Sequence, residues 1–136
     1  MSEVRSSGRY LQPPWVVARV INPVLMRTGM LPTLAVRGRR SGQWRTVPVN
    51  VLVFNGSRYL VAPRGTTDWV RNLRAAGTGE IRRRGRTDRF RAVEIADAEK
   101  PPIIQAYLDR WGGQVKAQFA EMPDPADHPV FRLEQA

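Results

Sequence analysis

Cysteine is absent from the 136 residues, which excludes a disulfide framework, a thiolate metal site and a cysteine nucleophile. Histidine occurs once, at His128, so a multi-histidine metal site is excluded and a Ser-His-Asp triad is disfavoured. Set in a proline-rich tail, His128 reads as a surface residue. No run is long and apolar enough to span a membrane: the longest apolar-rich stretch, Trp15 to Met30, is broken by Arg19, Asn22, Pro23 and Arg27. The opening Met1-Ser2-Glu3-Val4-Arg5 lacks the apolar core of a signal peptide, so a cytoplasmic location is expected. Pro13-Pro14 before Trp15 predicts a short helix interrupted at Pro23. Packing over a sheet is the favoured role for residues 14–30, and peripheral contact with a membrane surface is the other.

Lysine is nearly missing too. Of 22 basic residues only Lys100 and Lys116 are lysine, and acidic residues number 12, for a net charge of +10. Arginine binds phosphate and carboxylate through a bidentate fork, so this balance points to an anionic partner. Genomic base composition can account for arginine over lysine, but not for the excess itself. Hydrophobic residues at 42% and charged residues at 25% are globular values, and the length suits one domain over residues 1–136, with 1–12 flexible.

Hairpins dominate the pattern. Thr33–Arg37 predicts a strand, Gly38–Gly42 a loop, and Thr46–Phe54 a long β-prone run in which Pro48 suits an edge or bulge. Asn55-Gly56 is a strong two-residue hairpin signal leading into Arg58–Ala62. Asp68–Gly77 reads as a helix capped by Asp68, with Trp69, Val70 and Leu73 on one face. A second hairpin follows, Gly79–Arg83 and Thr87–Ile95 around Arg84-Gly85, and then a helix from Ala98 to about Trp111 capped by Asp97. Gln114–Ala120 reads as a last short helix and the tail as extended. Five or six strands of about 40 residues in all are too few for two sandwich sheets but enough to close a small barrel.

Two basic elements carry the chemistry. Gly38-Arg39-Arg40-Ser41-Gly42 with Arg45 joins glycines, a hydroxyl and three guanidinium groups, a set that lets backbone and side chains approach an anion. Pro63-Arg64-Gly65-Thr66-Thr67 lies between a strand end and a helix start, where free N–H groups favour negative charge. A third cluster, Arg82, Arg83, Arg84, Arg86, Arg89 and Arg91, has only Phe90 for base stacking and no nucleic-acid-binding motif, so solvated charge is the better reading. No acid–base pair stands out. The chain is either a binding module or an enzyme whose cofactor performs the chemistry.

Leu34–Val49 with its G-R-R-S-G core, Tyr59–Gly65 and Trp69-Val70-Arg71-Asn72-Leu73 together resemble the deazaflavin-dependent nitroreductase family over about residues 20 to 110. The resemblance implies an α+β fold, a small antiparallel split β-barrel related to FMN-binding oxidoreductases, with flanking helices. It implies coenzyme F420, an 8-hydroxy-5-deazaflavin bearing a phosphate and an oligoglutamate tail, as cofactor. By resemblance Arg39, Arg40, Ser41 and Arg45 hold the phosphate and tail. Pro48 and Val49 flank the ring, Ala62, Pro63 and Arg64 lie beside it, and Trp69 and Asn72 belong to the site's helix, with Asn72 bracing the loop. The implied reaction is hydride transfer to a small electron-poor acceptor such as a quinone, nitroaromatic or enone, with no nucleic-acid partner. The competing reading is a non-enzymatic binder of a hydrophobic ligand (fatty acid, flavin or haem) on the same fold.

Overall fold

The computed structural model describes residues 31–136, so the expected opening helix, the flexible start and any membrane contact through residues 14–30 lie outside the described residues. In chain order the elements are β1 (Thr33–Arg37), β2 (Trp44–Pro48), β3 (Leu52–Phe54), β4 (Ser57–Val61), α1 (Asp68–Ala76), β5 (Thr78–Arg83), β6 (Arg86–Glu94), α2 (Lys100–Glu121) and β7 (Val130–Gln135). Single 3-10 turns at Asp97–Glu99 and Pro125–Asp127 flank α2.

The seven strands form one antiparallel sheet in the order β2-β1-β5-β6-β7-β4-β3. That order dictates a curl. β2 and β3 are opposite edges, which would stand roughly 29 Å apart in a flat sheet at about 4.8 Å per strand. Yet only Val49, Asn50 and Val51 join Pro48 to Leu52, and four Cα steps reach about 14 Å at most. The edges must therefore approach each other, and the sheet rolls into an incomplete barrel with Val49–Val51 crossing the gap.

Each face has its own core. Leu34, Val36, Leu60, Ile81, Phe90, Phe131 and Leu133 pack with Val70 and Leu73 of α1. Leu52, Tyr59, Val61, Ile95 and Val130 pack with Ile103, Ile104, Tyr107 and Val115 of α2. Two hairpin turns put non-glycine residues at positive φ, Asn55 at 49° before Gly56 at 78° and Arg84 at 50° before Gly85, as type I′ geometry requires. Where β5 crosses the core, a Cβ on Gly79 would lie 2.9 Å from the Phe90 ring and 3.1 Å from the Ala35 carbonyl oxygen, so glycine is needed there for close approach.

Several expectations are corrected. The run Thr46–Phe54 is two strands on opposite edges, because the chain must leave one edge to begin the other. The tail contributes β7, paired with β6 and β4 inside the sheet, which raises the strand number to seven. Thr67, without a side-chain hydrogen bond, is the N-cap of α1, and Asp68 lies in its first turn. Asp97 caps nothing; its carboxylate pairs with the buried Lys100 ammonium at 2.7 Å. The helix expected to end near Trp111 bends there, at φ −123° and ψ 17°, and resumes to Glu121. His128 is not a surface residue. It is fully buried, with Nδ1 2.9 Å from the Ala62 carbonyl oxygen and Nε2 2.5 Å from that of Met122, and Phe119 stacks on it at 4.0 Å.

Candidate functional site

The β1–β2 connection is a self-closed turn. The Gly38 N–H donates to the Gln43 carbonyl at 2.8 Å, the Gly42 N–H to the Gly38 carbonyl at 2.9 Å, and the Gln43 N–H to Ser41 Oγ at 3.1 Å. Closing the turn on itself leaves Arg39, Arg40 and Arg45 projecting around it. Asn72, buried on α1, accepts at a single Oδ1 from the Arg39 backbone N–H at 3.0 Å and from its guanidinium at 2.7 Å. Asp68 stands 3.6 Å from the same guanidinium but is itself exposed, so it contributes little. The expected bracing by Asn72 is thus an observed pair of hydrogen bonds, and it ties the basic loop to α1.

The loop faces an open cleft of about 740 Å³ beside the gap between the sheet edges. Every residue expected at the cofactor site lines it: Arg39, Arg40, Ser41 and Arg45 from the first basic loop, Pro48 and Val49 from the crossing, Ala62, Pro63 and Arg64 from the end of β4, and Trp69 and Asn72 from α1. Trp69 packs at 6.1 Å on Phe131, which fixes the ring against the core. Ala62, whose carbonyl meets His128, belongs to this wall. Sequence reasoning missed the far end. There Asn50, Tyr107, Gln114 and Val115 line the cleft, and the Asn50 amide lies 3.5 Å from the Tyr107 hydroxyl oxygen and 3.4 Å from Gln114 Oε1. Burial pushes the Tyr107 phenol above its usual range, opposed by the Asn50 hydrogen bond and the charge of Arg64. The one available signal was Gly112-Gly113, which directly follows the bend of α2 at Trp111.

The third basic cluster stands apart. Arg82 and Arg89 lie 2.9 and 3.6 Å from the buried Glu80 carboxylate, and Arg91 lies 3.0 Å from Glu134. Half of that cluster is therefore matched within its own sheet.

The cleft pairs a cationic loop with an apolar and amide-lined interior, a donor set that fits a planar cofactor bearing an anionic tail. The sequence model of the F420H2-dependent quinone reductases matches residues 17–123. The chain belongs to this family. It is an F420-dependent reductase, and F420 is its cofactor.

Solved structures agree on the fold. This quinone reductase family member shares 22% identity and a TM-score of 0.57 with an F420-H2 dependent reductase (FDR-A), over 76% of this chain and 93% of that one. A structure described as a domain-swapped dimer gives 21% identity and a TM-score of 0.58, over 88% and 97%. HutZ, a haem storage protein from Vibrio cholerae, gives 11% and 0.54, over 85% and 90%. These likenesses establish the split β-barrel. No curated protein matches the sequence significantly. Among the described residues no helix is long and apolar enough to cross a membrane, and no cluster of histidine, aspartate and glutamate could hold a metal.

Proposed function

We propose that the chain reduces a small quinone-type acceptor in this cleft. The observation that carries the reading is the convergence of both basic loops and the Trp69–Asn72 helix on one cavity. When bound, reduced F420 supplies the hydride. Arg39, Arg40, Arg45 and Arg64 would hold its phosphate and glutamate tail through charge-assisted hydrogen bonds. Pro48, Val49, Ala62 and Pro63 would flank the ring and keep water from its face, and Trp69 would bound the far wall. Asn72 contributes indirectly, by fixing Arg39. The chain's part is orientation and exclusion of water, so the absence of a catalytic dyad is consistent with the reaction.

A non-enzymatic hydrophobic-ligand role finds less support. The only histidine directs both ring nitrogens at backbone carbonyls and offers haem no free imidazole nitrogen. Titration of the purified protein with F420, followed by the cofactor's fluorescence, tests the site, and menadione-dependent oxidation of reduced F420 tests the acceptor class. Saturable binding with turnover is expected. Absence of binding at tens of micromolar sinks the site assignment, and binding without turnover on menadione or a second quinone sinks the acceptor class.

A further inference from the structure

At the end of the cleft away from the Gly38–Gly42 loop, three uncharged polar side chains meet, with the charge of Arg64 acting on one of them, Tyr107. Asn50 stands on the Val49–Val51 crossing, Tyr107 on the first half of α2, and Gln114 just past the bend at Trp111. The Asn50 Nδ2 group is placed to donate to the Tyr107 oxygen, at 3.5 Å, and to Gln114 Oε1, at 3.4 Å. A phenol oxygen that accepts from Asn50 must direct its own proton elsewhere. No protein acceptor for that proton stands among the described residues, while the residue lines the cleft. A phenol is ordinarily protonated across the physiological range, and burial shifts Tyr107 further in that direction.

We propose that Asn50 is a positioning residue that turns the Tyr107 O–H into the cleft, where it donates a hydrogen bond to an oxygen of the electron acceptor. Gln114 holds the amide in that orientation. The acceptor class that follows carries a carbonyl or nitro oxygen, since this end offers a hydrogen-bond donor within reach of the positive charge of Arg64. A hydrogen bond to that oxygen strengthens as negative charge develops on it during hydride transfer, so it acts on turnover more than on binding. The proposal rests on the cleft being the reaction site.

Two measurements test it. The first needs no cofactor: the Tyr107 titration is followed by NMR on tyrosine-labelled protein, assigned with Tyr107→Phe. Asn50→Ala should move the midpoint upward, because a donor to the phenolate is lost. A midpoint that falls or stays fixed overturns the orientation, since a Tyr107 donating to Asn50 would titrate lower once the amide is gone. The second measures menadione reduction by the F420-loaded enzyme. Tyr107→Phe and Asn50→Asp should each lower kcat/KM about tenfold, mostly in kcat, with F420 affinity unchanged. Wild-type kcat/KM in Tyr107→Phe overturns the donor role. Failure of the wild-type protein to bind F420 would overturn the cleft assignment instead, leaving the NMR result to judge the orientation of Tyr107.

Discussion

Asn72 shows how one buried amide oxygen can govern a surface loop. It accepts both a backbone and a guanidinium N–H of Arg39 across 33 residues of chain. Asn72→Ala removes both and leaves the Arg39 N–H without its partner, which should destabilise the fold by about 1–3 kcal/mol. F420 affinity should fall about tenfold as well, and thermal melting with cofactor titration separates the two effects. Arg39→Ala should lose cofactor affinity by roughly 1.5–3 kcal/mol, as one charge-assisted contact, with a smaller loss of stability. The same residue-scale logic sets a pH response at Tyr107. Because burial raises the folded-state value above that of the unfolded chain, the folded form holds the proton more tightly. The associated stability is fully present below the ordinary tyrosine range and declines as pH rises through it. Alkaline denaturation curves should therefore flatten in Tyr107→Phe. Glu134 has the opposite sign: Arg132 first, and then Arg91, holds its carboxyl below the usual range, so its contribution disappears only as pH falls through that lowered value.

Among the elements, the second hairpin carries the closest packing. β5 can lie against the Phe90 ring and the Ala35 carbonyl only because residue 79 has no side chain. Gly79→Ala should cost about 1–3 kcal/mol through forced displacement of backbone as well as ring, measurable by chemical denaturation. The helices differ in how plainly their sequences announce them. α1 is legible from its Val70 and Leu73 stripe and its closing Gly77, whose N–H returns to the Leu73 carbonyl. Its cap was misassigned because Asp68 and Thr67 are both favourable N-cap types, and the backbone angles at Thr67, extended at φ −82° and ψ 179°, decide between them. The β2 edge is blunted by charge and an aromatic: the guanidinium groups of Arg37, at 4.3 Å, and Arg82, at 5.0 Å, both pack on the Trp44 ring. That arrangement gives two arginines of the basic surface a local role.

At the scale of the molecule, closure of the barrel builds the cleft. The three residues Val49, Asn50 and Val51 draw the two sheet edges together, and two of them, Val49 and Asn50, also line the cleft. Inserting a flexible Gly-Ser-Gly after Asn50 should relax that closure. The expected outcome is preserved strand content by circular dichroism with weakened F420 binding, and unchanged affinity would show that the crossing does not shape the site. The net charge of +10 acts over longer distances, so F420 affinity should also weaken as salt shortens the range of the field.

Hairpins, helix stripes and the two basic loops are local or periodic features, and the chain spells them out. Composition alone was enough to move the chemistry off the side chains, since a protein without cysteine and with one histidine has few nucleophiles or ligands to offer. Pairing partners are another matter. Nothing in Thr46–Phe54 shows that its two halves belong to opposite edges, and nothing in the proline-rich tail shows that Val130–Gln135 lies between β4 and β6. The environment of His128 was misjudged for the same reason: its partners, the Ala62 and Met122 carbonyls, come from a distant strand end and a helix terminus. The union of Asn50, Tyr107 and Gln114 was equally invisible, because residues 57 and 64 positions apart in the chain meet only when the sheet closes. Sequence by itself determined which residues could meet an anion; the curl of the sheet decided that they face one cavity, because three linking residues cannot span a flat one.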